Sequence, residues 1–101
     1  MLKTQDIVNY LSENRLYFRK KYFVDKMAIV GSYARGDYNK NSDVDLVVYF
    51  LPESLNNRIF RLYCDLQDDI AAHLNKKVDI IANGKVLPAF QDIIRKEALY
   101  V

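Results

Sequence analysis

Asp43 and Asp45 stand two residues apart at the opening of a β-branched, apolar run, Val44 to Leu51, which Pro52 stops. Such a run is a strand, and strand side chains alternate, so both carboxylates fall on one face. Val44, Leu46 and Val48 take the other face, which must be buried against helices. That single strand already asks for a sheet with one acidic side and one packed side.

The rest of the chain supplies partners for it. Thr4 is the expected N-cap of a first helix with Ile7, Val8 and Leu11 at helical spacing, and Ser12 the cap of a second from about Glu13 to Tyr22. Lys26 to Gly31 reads as a short buried strand. After a polar turn at Asn39 to Asn41 and the acidic strand, Leu55, Ile59, Leu62, Leu66, Ile70 and Leu74 mark a long amphipathic helix. Lys77 to Ala82 is a third strand, closed by Asn83-Gly84, and Leu87 to Glu97 a last helix; Ala98 to Val101 either adds an edge strand or packs on the core. The order α-α-β-β-α-β-α predicts an α/β (α+β) fold, a small mixed sheet packed against helices. No repeat, low-complexity tract or Gly/Pro/Ser-rich linker divides it, so residues 1–101 read as one domain.

Composition narrows the function classes. A net charge of +2 is too weak to imply direct nucleic-acid binding, which is not expected, but it suits a phosphate-bearing ligand. One cysteine, Cys64, excludes an internal disulfide framework and fits a reducing cytoplasm. Lys3, Gln5 and Asp6 interrupt any signal-like run near Met1, and the apolar stretch Leu46 to Leu51 is far too short to span a bilayer. A cytoplasmic protein with no membrane partner is expected.

The chemistry lies in the polar residues of these strands. Two carboxylates held as close as Asp43 and Asp45 repel, and one is pushed to protonate unless a cation intervenes. Oxygen-only ligands favour magnesium or manganese over zinc. Asp79 lies within V-D-I-I, apolar enough to be a core strand, where an aspartate needs a reason. If its strand neighbours that of Asp45, it can join the other two around a metal pair. Two metals can activate an attacking oxygen and stabilise the leaving oxygen of an in-line phosphoryl displacement. Upstream, Gly31 lets a phosphate approach the backbone, and Ser32 with free turn N–H groups can hold a triphosphate oxygen; Ser32 is also suited to capping the turn. Arg35 is placed either to pair with phosphate or to brace the loop through a carboxylate such as Asp37. Gly36 permits the bend back into the aspartate strand.

Gly31-Ser32, ten intervening residues, then Asp43-Val44-Asp45 resembles the signature of the polymerase β-like nucleotidyltransferase superfamily. The fuller G-S-Y-A-R-G…S-D-V-D-L is similar to its minimal nucleotidyltransferase (MNT) branch, with no departure from the motif, and the similarity covers nearly the whole chain. The resemblance implies metal binding by Asp43 and Asp45, a third catalytic carboxylate and metal ligand at Asp79, and nucleotide contacts from Gly31, Ser32, Arg35 and Ser42. It implies two Mg2+ ions as cofactors and ATP as substrate. Stand-alone MNT proteins resemble the antitoxin of HEPN–MNT toxin–antitoxin pairs, which implies AMP transfer to a tyrosine of a HEPN ribonuclease toxin. The competing expectations are an antitoxin that inhibits by binding alone and a small-molecule, aminoglycoside-like nucleotidyltransferase.

Other features have plainer readings. Arg15 to Phe23 interleaves cations with aromatics, expected as an amphipathic helix, with RNA or partner contact as alternatives. Cys64 is expected as inert packing beside the long helix's stripe, and His73 as a favourable charge near its C-terminus. Tyr33 and Tyr38 flank the glycine turn, within reach of a nucleotide.

Overall fold

Strand β1 (Val24–Val30) pairs antiparallel with β2 (Val44–Phe50) at the centre of a four-stranded sheet of order β3-β2-β1-β4. The structure is a computed structural model, and it describes residues 1–52, 59–82 and 88–101. Around the sheet lie α1 (Thr4–Glu13), α2 (Arg15–Tyr22), α3 (Ser32–Arg35), α4 (Ile59–Leu74) and α5 (Pro88–Glu97). β3 (Val78–Ala82) runs parallel to β2, the arrangement a strand–helix–strand connection allows. β4 (Leu99–Tyr100) pairs antiparallel with β1, so the chain's last residues take the edge-strand option. This is the mixed sheet with helices that the sequence predicts. Leu55, the Asn83-Gly84 turn and Leu87 lie outside the described residues.

One sheet face carries the core. Ile7 and Leu11 of α1, Phe18 and Tyr22 of α2, and Leu66 and Ile70 of α4 close over Met27, Ile29, Leu46, Val48 and Val78. By strand alternation, Asp45, Val47 and Tyr49 project from the opposite face. Phe18 and Tyr22 are thus core residues of the basic–aromatic helix, whereas Leu16 and Tyr17 beside them are exposed.

Four local expectations are corrected. The helices break at Asn14 rather than Ser12: the Asn14 amide donates to the Tyr10 carbonyl at 2.8 Å, a side-chain bond that competes with helix propagation. Lys3, not Thr4, is the N-cap of α1; its backbone N–H donates to Asp6 Oδ2 at 2.9 Å, while the Thr4 hydroxyl donates to the Tyr33 carbonyl at 2.6 Å and ties α1 to α3. β1 begins at Val24, before the polar Asp25 and Lys26, because a bulge between Val24 and Lys26 absorbs the irregularity. Cys64 is exposed, not packed, since two residues before buried Leu66 it sits roughly 200° around the helix from the stripe. Among the described residues, no helix is long and apolar enough to cross a membrane.

Candidate active site

Gly31 ends β1 in a conformation, φ +74° and ψ −150°, that side chains rarely adopt. A Cβ there would lie 2.6 Å from Asp45 Oδ2, so the glycine makes room for that carboxylate. The next residues wind into α3, with the Ala34 and Arg35 N–H groups each donating to the Gly31 carbonyl at 3.0 Å. Gly36, at φ +90°, closes the turn and donates to the Ser32 carbonyl at 2.9 Å. Gly31 itself takes the N-cap position and Ser32 the first helical one, so Ser32 does not cap the turn. Its half-buried side chain has no hydrogen-bond partner among the described residues.

The acidic strand is entered through a tight turn. Asn39 Oδ1 accepts the Asn41 N–H at 2.8 Å, and Ser42 Oγ accepts the Asn39 N–H at 2.8 Å. Ser42 therefore shapes the approach to Asp43. In the parallel β2–β3 pair, Asp45 stands opposite Asp79, and side chains opposed in this way share one sheet face. Asp43, two residues before Asp45, follows the same alternation. Their proximity is felt electrostatically. Burial, then the charges of Asp79 and Asp43, push the Asp45 carboxyl above its ordinary range, more than Arg35 and Lys77 pull it down.

These residues fit a hard divalent cation: all donors are carboxylate oxygens, and the cluster carries negative charge that its neighbours leave undercompensated. Among the described residues, no three acidic, histidine or cysteine side chains close up into a ready-made metal cage. Asp43 Oδ2 instead faces Lys77 Nζ at 3.7 Å, an exposed pair worth little by itself.

Arg35 takes the bracing arrangement, with Nε 3.1 Å from Asp37 Oδ2 and an Nη 3.4 Å from Glu97 Oε2. Tyr33 is 1% exposed and stacks on Tyr38 with ring centroids 4.4 Å apart. Its ring is core rather than a free platform for a base. His73 belongs to α4 and stacks on Tyr10 at 3.8 Å, across the sheet from the carboxylates. A cleft of about 370 Å³ between α2 and β1, with Leu16, Phe18, Val24, Met27 and Val101 in its lining, is not lined by Asp43, Asp45 or Asp79. Sequence reasoning missed Lys76, Lys77 and Glu97. Two lysines directly before V-D-I were a usable signal, since cations collect beside acidic clusters; Glu97 reaches Arg35 only through the fold.

Comparison with known proteins identifies the family and supports the fold. The profile of the nucleotidyltransferase domain family matches residues 11–101. A candidate protein adenylyltransferase of Methanocaldococcus jannaschii, MJ0128, is 30% identical, with all of both chains covered. The protein adenylyltransferase MntA of Thermococcus cleftensis is 26% identical across 100% of this chain and 98% of its own. A solved structure described as a minimal nucleotidyltransferase superposes with a TM-score of 0.75 at 22% identity, covering 97% of this chain and 95% of that one. A toxin–antitoxin structure with AMP-PNP gives a TM-score of 0.65 at 20% identity over 98% of this chain and 72% of that one. With the profile spanning most of the sequence and relatives matched end to end, the chain belongs to the nucleotidyltransferase domain family.

Proposed function

We propose that this protein transfers AMP from ATP to a tyrosine hydroxyl of a partner toxin of the HEPN type and so acts as its antitoxin. The observation that carries the reading is Asp45 facing Asp79 across β2 and β3, with Gly31 making room for the Asp45 carboxylate. Relatives named as protein adenylyltransferases, matched over their whole length, support protein as the acceptor. The toxin–antitoxin structures among the fold neighbours support the partner.

Asp43, Asp45 and Asp79 would hold two magnesium ions, which supply charge neutralisation at the reacting phosphate and lower the pKa of the acceptor hydroxyl. The Ser32 hydroxyl and the first N–H groups of α3 bind the β- and γ-phosphate oxygens. Arg35 braces that turn from both sides through Asp37 and Glu97 and adds positive charge beside the carboxylates. Ser42 keeps the turn before Asp43 in shape. The acceptor oxygen bonds to the α-phosphorus, the bond to the β-phosphate's bridging oxygen breaks, and pyrophosphate departs. Positioning and charge neutralisation supply most of the acceleration, so removing Asp43 or Asp45 is severe.

The test is incubation with the product of the neighbouring gene, labelled ATP and Mg2+, alongside the double variant Asp43→Ala/Asp45→Ala. Label on the neighbour's tyrosine, lost in the variant by a factor of about 10³ or more, is the expected result. Toxin neutralisation by the double variant with no label transferred would instead establish inhibition by binding. Turnover only with an added aminoglycoside would establish a small-molecule acceptor.

A further inference from the structure

One ammonium group, three residues before Asp79, bonds the turn that leads into Asp43 and lies over the ring of α3's buried tyrosine. Asn75 ends α4 in the left-handed region, φ +53°, and so turns the chain out of the helix, with the Lys76 N–H bonding back to the Ala71 carbonyl at 3.3 Å. That bend aims the half-buried Lys76 side chain under the acidic loop. Its Nζ donates to the Lys40 carbonyl at 2.9 Å and to the Ser42 carbonyl at 2.8 Å. The same Nζ lies 5.8 Å from the ring centroid of Tyr33, the buried residue of α3. Three residues further on, the same chain carries Asp79.

We propose that Lys76 is a positioning residue for AMP transfer, clamping the 40–42 turn so that Asp43 enters β2 aimed at the Asp45–Asp79 pair. The inference rests on the AMP-transfer reading. The partly buried Ser42 carbonyl needs a donor, and an ammonium has three protons to give in different directions, enough to hold the exposed Lys40 carbonyl as well. Without them the turn keeps, among the described residues, the local bonds of Asn39, Asn41 and Ser42, and the next anchor comes after Asp43, where the Val44 N–H donates to the Lys77 carbonyl at 3.0 Å. The peptide that precedes Asp43 then loses its anchor, and the third carboxylate of the cluster loses its fixed bearing. Lys77, the next residue, differs: its exposed ammonium acts on carboxylates, pairing with Asp43 at 3.7 Å and pulling on the charge of Asp45, so its charge is replaceable by any cation. Lys76 acts on backbone, which a cation in the site cannot do for it.

The experiment compares wild type, Lys76→Met, Lys76→Gln and Lys76→Arg in three readouts: thermal melting, Mn2+ affinity by electron paramagnetic resonance with a non-hydrolysable ATP analogue, and kcat and KM for ATP in the labelling assay. Residues that orient metal ligands usually contribute about 10–100-fold to affinity or activity. Lys76→Met is expected to weaken Mn2+ binding and lower kcat by about that factor with KM for ATP unchanged. Lys76→Gln, which keeps a donor on a shorter, uncharged side chain and guards against a misfolded Met variant, is expected to fall between, and Lys76→Arg, which keeps a charged group able to donate to both carbonyls, to recover most of the loss. Mn2+ affinity equal to wild type in the folded Met or Gln variant overturns the proposal. So does a raised KM for ATP at constant kcat, which would make Lys76 a nucleotide ligand. A wild type that binds Mn2+ yet labels no protein would refute the AMP-transfer reading, while the Mn2+ comparison still decides the role of Lys76.

Discussion

Gly31 and Asp45 compete for the same space. The glycine's φ of +74° and the 2.6 Å between its missing Cβ and Asp45 Oδ2 both forbid a side chain. Gly31→Ala is expected to cost about 1–3 kcal/mol from the backbone alone, read as a lower urea midpoint. Activity should fall further than stability does, because the methyl displaces a carboxylate of the proposed site. Asp45 has a second signature. Its folded pKa lies above the ordinary 3.8, raised by burial and then by Asp79 and Asp43. The folded state therefore holds its proton longer than the unfolded chain, and the stability linked to Asp45 falls as pH rises from about 3.8 through the folded value. In chelator, Asp45→Asn should melt above wild type at pH 7, with the gap closing as pH drops through the carboxylate range; an equal or lower melt at pH 7 contradicts the repulsion. The carboxylates could be read from sequence because alternation is local, and Asp79 because a charge within V-D-I-I is conspicuous. The clash behind Gly31 could not, since it needs the β1–β2 register of Val30 with Asp45.

At the scale of elements, α4 is held to α2 by more than its apolar stripe. Asp69 accepts hydrogen bonds from the Tyr17 hydroxyl at 2.5 Å and the Tyr22 hydroxyl at 2.6 Å. Burial pushes this carboxyl up, but the two phenols, with Lys21 and His73, outweigh it and leave it below its usual value. Its linkage thus has the sign opposite to that of Asp45: the stability it contributes is present above the unfolded value and is lost as pH falls through the folded one. Asp69→Asn should cost about 1–3 kcal/mol at pH 7 in chemical denaturation, since hydrogen bonds to a charge are weakened and one phenol is partly buried. The cost should shrink in acid; a cost unchanged at low pH would show that packing, not charge, is lost. The stripe Ile59, Leu62, Leu66, Ile70 and Leu74 announced the helix, because burial repeats with the helical period. The break between α1 and α2 was misplaced because Ser12 offers a capping signal, whereas the Asn14–Tyr10 bond that wins depends on side-chain geometry.

Across the whole molecule, the two faces of one sheet divide the work. α1, α2 and α4 pack the face of Leu46 and Val48, while the opposite face, itself buried at Ala28 and Val47, carries Asp45 and Asp79 side by side. The strand–helix–strand pattern of β2, α4 and β3 left a neighbouring strand for Asp45 as a condition, and no local signal gave the parallel pairing, the order β3-β2-β1-β4 or Lys76 closing the loop from behind. The account as a whole requires that Asp43, Asp45 and Asp79 share one metal site beside Gly31. Diffraction at the manganese edge, from crystals grown with Mn2+ and a non-hydrolysable ATP analogue, measures this directly. Anomalous density bounded by all three carboxylates, with the triphosphate against the Ser32 turn, is the predicted result. Density elsewhere, or a site in which Asp79 takes no part, would contradict it.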